Sequence, residues 1–358
     1  MNVVAAGYAN SFFIDENYDV WGCGLNTFLG NGDLTMPKMT RIDKLKNICA
    51  VDTGFSSSLF LDDEGRVWRT PQTLPTSFSN AASGGVSVIE NLPRTKSIVA
   101  SYHQHSLFLD VEGFVWGCGS NFAGELGSYA KMDQPDLINL QLPRPIKAID
   151  AGWRHSVFLD EEGSVWACGN NNCGELGLGP DRLNRSKPEK VVNLPEIKAV
   201  FCGCQHTMFL AADGSVWGTG SAQSGELTNV GADFISTPVK LHDLPRLETL
   251  SLGWNHTLFL DTDREVWSCG SKVSGAIGSA ITSHRFTPSK VRGLPTINHI
   301  AAGSYHSLFV DGESSLWCCG NMNKGQLGLP NSSSEPTKIA NIPPVIHQNL
   351  SVKSARAV

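Results

Sequence analysis

The chain has 358 residues, a net charge of −6, 41% hydrophobic and 17% charged residues, an ordinary globular balance without the Lys and Arg clusters that general binding of nucleic acid requires. No apolar stretch approaches the roughly 18 residues of a membrane-crossing helix, so membrane insertion is not expected. The 36 glycines point to many tight turns rather than long helices.

From the N-terminus, residues 1–14 are uncharged, but they lack the basic leading segment of a secretory signal and align with a unit that recurs along the whole chain. Tryptophans mark the unit at Trp21, Trp68, Trp116, Trp166, Trp217, Trp267 and Trp317, 47 to 51 residues apart. Ahead of each lies an apolar run: SFFID from Ser11, SLFLD from Ser58 and from Ser106, SVFLD from Ser156, TMFLA from Thr207, TLFLD from Thr257 and SLFVD from Ser307. Five of these runs follow a histidine: His105, His155, His206, His256 and His306. A fixed period of this size is the signature of a repeat architecture.

The clearest unit is residues 151–177, AGWRHSVFLDEEGSVWACGNNNCGELG. A glycine turn leads into an apolar strand, an acidic glycine turn into a strand bearing the tryptophan, and a polar loop closes on Gly177. A Pro-x-x-apolar segment at Pro188, a Leu194-Pro195 turn and an apolar stretch at 197–201 complete the period. Each unit therefore predicts four short strands, with Pro opening the fourth. Their Val, Ile, Phe and Trp content and their Gly, Pro, Asn and Asp boundaries favour strand over helix. The second strand is apolar on both faces and needs a neighbour on each side. A closed ring supplies both, so the expected fold is all-β, a seven-bladed β-propeller of four-stranded antiparallel blades. One domain is expected over residues 1–350, with 351–358 a frayed tail.

The units differ in detail. Unit 1 has a compressed loop at 25–32, and unit 2 runs Trp68-Arg69-Thr70-Pro71 and then through 76–85 without the usual glycine loop. Its third strand should be short or at an edge. Tyr18, Arg264 and Ser314 replace the second-turn glycine in units 1, 6 and 7. Both ends offer an innermost strand, at 2–6 and 345–350, and one of them is surplus.

With Gly152-x-x-His155-Ser156-x-x-Leu159 followed by Asp160-x-Glu162-Gly163-x-Val165-Trp166-x-Cys168-Gly169-x-Asn171-x-x-Gly174-Glu175-Leu176-Gly177, seven times in variant form, the chain resembles the regulator of chromosome condensation family. The resemblance covers essentially residues 1–345. It implies a seven-bladed propeller whose first strands are innermost. It implies no single function, because the family includes exchange factors for the small GTPase Ran, repeat domains in ubiquitin ligases and kinases, a plant ultraviolet-B photoreceptor and a secreted β-lactamase inhibitor.

The repeat histidines come one per unit around an axis and do not converge as metal ligands do. Each is expected to be satisfied by a neighbouring backbone group. Cys202, Cys204 and His206 fall on repeat positions as well, so no metal is expected. The Ser or Thr after each histidine position recurs in every unit, whereas a catalytic triad is unique. The G-x-G after the tryptophan lacks the helix of a dinucleotide fingerprint. Neither catalytic residues nor cofactors are expected, and the chain is read as a non-enzyme. Cys23, Cys118, Cys168, Cys269 and Cys319 share one repeat position, where a small residue fills a strand rather than forming a disulfide. A reducing, cytoplasmic setting is expected, with the nucleus as the alternative although no basic targeting tail is seen.

In an antiparallel ring the first turns (between strands one and two) and the third loops emerge on one face, and the second turns and inter-unit connections on the other. The second face gathers Asp62, Asp63, Glu64, Asp160, Glu161, Glu162, Asp261, Asp263, Asp311 and Glu313, expected to be solvated surface. The first turns carry Tyr8, Phe55, His103, Trp153, Cys204, Trp254 and Ser304, with Arg154 and Tyr305 one residue further. Aromatic residues and Arg are what interaction hot spots are made of, so Tyr8, Phe55, Trp153, Arg154, Trp254 and Tyr305 are the candidate protein-binding residues. The expected function is a monomeric, non-catalytic interaction and regulatory module that binds a protein partner through this face. The alternative is a guanine nucleotide exchange factor for a Ran-like or other small GTPase, against which Met1 leads at once into the first strand, without the basic tail or wedge of the nuclear members. A substrate-recognition domain of a ubiquitin ligase and an ultraviolet photoreceptor rank behind. Gly152-Trp153-Arg154-His155-Ser156 resembles the photoreceptor's G-W-R-H-T, but the similar Gly253-Trp254-Asn255-His256-Thr257 lies two blades away.

Overall fold

Each second strand is buried along its whole length, from Asn10–Ile14 to His306–Asp311, and its alternating side chains face opposite neighbours. In His155–Asp160, Phe158 packs with Val99 and Leu107 of the preceding unit, while Val157 and Leu159 pack with Val200 and Phe209 of the following one. Burying a phenylalanine of this kind contributes on the order of 2 kcal/mol, and only a neighbour on each side can provide it.

The computed structural model describes residues 2–25, 35–55, 57–70, 85–128, 132–228, 231–279 and 285–346. Among these residues there are seven four-stranded antiparallel sheets in simple meander order and no helix. The blades span 4–41, 48–88, 95–140, 146–190, 197–240, 247–290 and 297–338. First strands of successive blades lie side by side, and the seventh meets the first. They are the innermost strands, and the second, third and fourth step outward.

Blade 2 has the short third strand expected of it, Val67–Arg69, and a fourth strand of only Ser87–Val88. Pro71 and residues 76–84 fall outside the described residues, as do 26–32 of the unit 1 loop and the 351–358 tail. Elsewhere the fourth strand differs from expectation. Pro188 lies inside Arg185–Lys190 and Pro238 inside Phe234–Lys240 rather than opening them. An outer strand has one unpaired edge, so a residue without N–H is tolerated there and discourages pairing with another chain. The prolines also pack inward: a Cβ on Gly127 would lie 3.0 Å from Pro188, and one on Gly177 would lie 3.1 Å from Pro238.

Of the two candidate innermost strands, the N-terminal one forms the strand of blade 1, Val4–Ala6, and the described part of the other, 345–346, adds only a bridge below it, while 347–350 fall outside the described residues. In blade 4 the first strand opens with Ile146 opposite Asp160, and Ile146 N donates to Gly113 O of the preceding blade at 2.9 Å. Blade 1 starts its first strand at Val4, and the place opposite Asp15 is taken by Val345. Val345 N donates to Ser314 O at 2.8 Å and Ile346 N to Ile14 O at 2.9 Å, which ties blade 7 to blade 1.

Candidate interaction face

The first turn is fixed from below before its tip residues are considered. The His155 ring folds back over Gly152, where a Cβ would lie 2.0 Å from the imidazole, so only glycine fits. From there Nε2 of His155 reaches the hydroxyl of Thr207 in the next blade at 3.0 Å. Thr207 Oγ1 donates its proton to Glu175 O at 2.8 Å, which makes the histidine the donor to the hydroxyl. The same pairing links His105 to Ser156, His206 to Thr257, His256 to Ser307 and His306 to Ser11, at 2.8 to 3.3 Å. The expectation of backbone partners is thus corrected: each histidine bridges to a side chain one blade on. Burial lowers their pKa values, to about 3 for His105, His155, His206 and His306 and about 4 for His256, so all five are neutral at pH 7.

Backbone hydrogen bonds join the turns into a hoop around the axis. Tyr8 N donates to Gly54 O, Phe55 N to Ser101 O, Tyr102 N to Gly152 O, Trp153 N to Cys204 O, Cys204 N to Gly253 O, Trp254 N to Gly303 O and Ser304 N to Gly7 O, at 2.9 to 3.3 Å. Every blade junction carries one bond. The side chains at the tips stand on this rigid ring.

Those side chains form two groups rather than one. Tyr8 lies at the centre of the first, with ring centroids 4.5 Å from Phe55, 5.8 Å from Tyr305 and 6.2 Å from Trp254; Trp254 and Tyr305 stack at 6.0 Å. The second group holds Trp153, edge-on to His103 at 5.8 Å, with the Arg154 guanidinium 4.8 Å above the indole centroid. Arg154 Nη2 lies 3.1 Å from His103 Nε2. Burial, and then the Arg154 charge, lower the His103 pKa to about 4, so His103 is the acceptor. Phe55 is exposed and the other candidates are half-buried, whereas Cys204 and Ser304 at the same turn position are buried; Cys204, in blade 5, stands between Trp153 and Trp254 of the two groups.

Tyr102, which sequence reasoning missed, crosses the axis beneath them. Its hydroxyl lies 2.8 Å from Leu252 O and 2.9 Å from Ala302 O, joining blade 3 to blades 6 and 7. The sequence did hold a signal: Tyr102 stands where the other six units have the turn glycine. It caps a cavity of about 350 Å³ lined also by Asp52, Asp150 and Ser251. These three accept from Ala100 N, Cys202 N and Ala302 N of the next blade at 2.7, 2.8 and 2.9 Å. Burial raises Asp52 to about 6 and Asp150 to about 7.

On the opposite face the acidic set is only partly solvated. Asp62, Asp160, Asp261 and Asp311 are buried and accept the indole N–H of Trp68, Trp166, Trp267 and Trp317 at 2.8 to 3.0 Å. A carboxylate six residues before an indole closes the turn from within, so these four belong to the architecture. Asp63, Glu64, Glu161, Glu162, Asp263 and Glu313 are exposed. The ten cysteines are free, and the five at the shared position are buried in the third strand. Among the described residues no group of three His, Cys, Asp or Glu side chains could hold a metal.

Residues 76–357 match the RCC1-like domain. A curated relative, the human probable E3 ubiquitin-protein ligase HERC3, is 28% identical over 153 residues, 42% of this chain and 14% of that protein. The matched stretch is thus a small part of that relative. Among solved structures, Prp20p from Saccharomyces cerevisiae, described with its binding to Gsp1p and histones, superposes with a TM-score of 0.78 at 23% identity, covering 95% of this chain and 88% of that one. Human WBSCR16 gives 0.77 at 17% identity over 86% and 85%. Both likenesses are of fold.

Proposed function

This chain belongs to the RCC1-like domain family, and we propose that it serves as a non-catalytic interaction and regulatory module whose first-turn face binds a protein partner. The observation that carries this reading is the pair of aromatic groups, Tyr8–Phe55–Trp254–Tyr305 and His103–Trp153–Arg154, standing half-exposed on a hydrogen-bonded hoop. Large aromatic surface held rigid before binding loses little entropy on association, which suits it to an interface. Trp254→Ala and Trp153→Ala are expected to leave the thermal midpoint near wild type and to weaken a captured partner by about 2 kcal/mol each, or roughly 30-fold, in calorimetry. Unchanged affinity in both variants would place the binding surface elsewhere.

A second reading, guanine nucleotide exchange on a small GTPase, draws on the likeness to Prp20p and its description with Gsp1p. Exchange by such a module would use the same kind of rigid face, without a side chain reacting covalently. A nucleotide-release assay against a panel of small GTPases separates the two readings. Acceleration for one member that is lost in Trp254→Ala supports exchange; no acceleration across the panel removes it for those GTPases.

A further inference from the structure

We infer that the partner presents a carboxylate-bearing apolar segment to this face, with Arg154 as the anchor for its acidic group. The inference rests on the first-turn face being the docking surface, as proposed above, and adds the chemistry of what docks. Two tip positions in each of seven turns give fourteen residues, and among them Arg154 is the one Lys or Arg while no Asp or Glu occurs. The chain as a whole carries −6, whereas these tips carry no acid; the carboxylates that act on the Arg154–His103 pair, Glu125 and Asp133, belong to the third loop of blade 3.

The guanidinium is held in place without an ion pair. Its central carbon lies over the Trp153 ring and His103 Nε2 takes one N–H. No carboxylate among the described residues comes within ion-pair distance of it, although other arginines at the surface, Arg41, Arg66 and Arg185, each have one. Its Nε is buried and has no hydrogen-bond partner among the described residues. A half-buried arginine that has given up part of its hydration, with only the buried Glu125 acting on it at longer range, is poised to gain a closer carboxylate, and a fork already held over an indole loses little freedom when one meets it. The neighbouring Tyr8, Phe55, Trp254 and Tyr305 rings provide apolar area for the rest of the segment. A protein segment fits this pairing better than nucleic acid does, because one isolated cation on an acidic molecule cannot follow a run of phosphates.

The test uses a displayed library of random dodecapeptides selected on the full chain, on Arg154→Gln, on Arg154→Lys and on Trp254→Ala, each first shown by circular dichroism to melt as wild type does. Selection on wild type is expected to enrich Asp or Glu together with aromatic residues. A synthetic peptide of the enriched sequence should bind Arg154→Gln about tenfold more weakly, with Arg154→Lys between, and its affinity for wild type should fall with added salt. Enriched peptides without Asp or Glu that lose affinity for Trp254→Ala but not for Arg154→Gln would overturn the acidic-anchor inference and leave the docking face standing. Peptides indifferent to both substitutions would overturn the docking face itself. Displacement of the peptide by a short DNA duplex at physiological salt, with Arg154 required for duplex binding, would overturn the choice of a carboxylate partner.

Discussion

Ser314 occupies a place that most units give to glycine. Its φ is +64°, against +82° for Gly163 in blade 4, and for a residue with a Cβ the left-handed region costs about 1 kcal/mol. The turn itself is made by backbone groups: Ser314 N donates to Asp311 O, and Ser314 O accepts from Val345 N. The hydroxyl is buried and has no partner among the described residues, so it adds desolvation without a bond. Ser314→Gly is therefore expected to stabilise the fold by about 1 kcal/mol, set against the greater backbone freedom of glycine when unfolded. The check is a urea titration in which the midpoint rises at unchanged slope; a lower midpoint would show that the hydroxyl has a partner in solution.

Between blades, the element that matters is the histidine at the head of the second strand. His155 fills the space over Gly152 and donates across the junction to Thr207, so His155→Ala leaves both a cavity and a lost bond, expected to cost about 2 to 4 kcal/mol by chemical denaturation. His155→Asn should cost less, because Asn10 already stands at this position in blade 1, with Nδ2 3.5 Å from Ser58 Oγ of blade 2. Equal losses for the two variants would mean that ring packing, not the junction bond, sets the energy. The period made this histidine, the buried runs, the tryptophans and the turn glycines legible, since a residue repeated at one position has one job. It could not name partners. Ser156 lies 51 residues from His105, and a repeat shows only that both positions recur, not that one reaches the other. Two readings failed for local reasons: proline was taken to open the fourth strand, whereas an outer edge accommodates it inside, and the second-turn aspartates were taken as solvated, whereas an indole six residues on takes them inward. The candidate residues were chosen by type, but their division into two groups depends on how deeply Cys204 sinks between Trp153 and Trp254, which spacing does not reveal.

For the whole ring, the buried ionisable groups set a pH dependence whose sign can be worked out. The five junction histidines titrate at about 3 to 4 when folded and near 6.5 when unfolded. Below about pH 6.5 the unfolded chain binds protons that the folded chain refuses, so this stability is present above that pH and is lost as the pH falls. Three buried carboxyls act in the opposite sense. Asp52 titrates at about 6, and Asp150 and Glu175 at about 7, each raised by burial. The stability they contribute is full below about pH 4 and is lost as the pH rises through 6 to 7. Near pH 5 the unfolded state therefore holds about five extra protons and the folded state about three, a difference of two, or on the order of 3 kcal/mol per pH unit. Above pH 7 the two sets nearly cancel. Around pH 4 the carboxyls begin to bind protons in both states while most of the folded histidines are still neutral, so the slope is steepest there, and it shrinks again below as the folded histidines titrate. Urea midpoints measured from pH 8 downward should stay level to about pH 7, decline below 6 and drop more steeply near 4. Asp150→Asn removes one opposing carboxyl, so its decline near pH 5 should be steeper than that of wild type by about one proton. A decline no steeper in that variant would show that Asp150 is ionised in the folded ring at pH 5, and that water reaches it through the axial cavity.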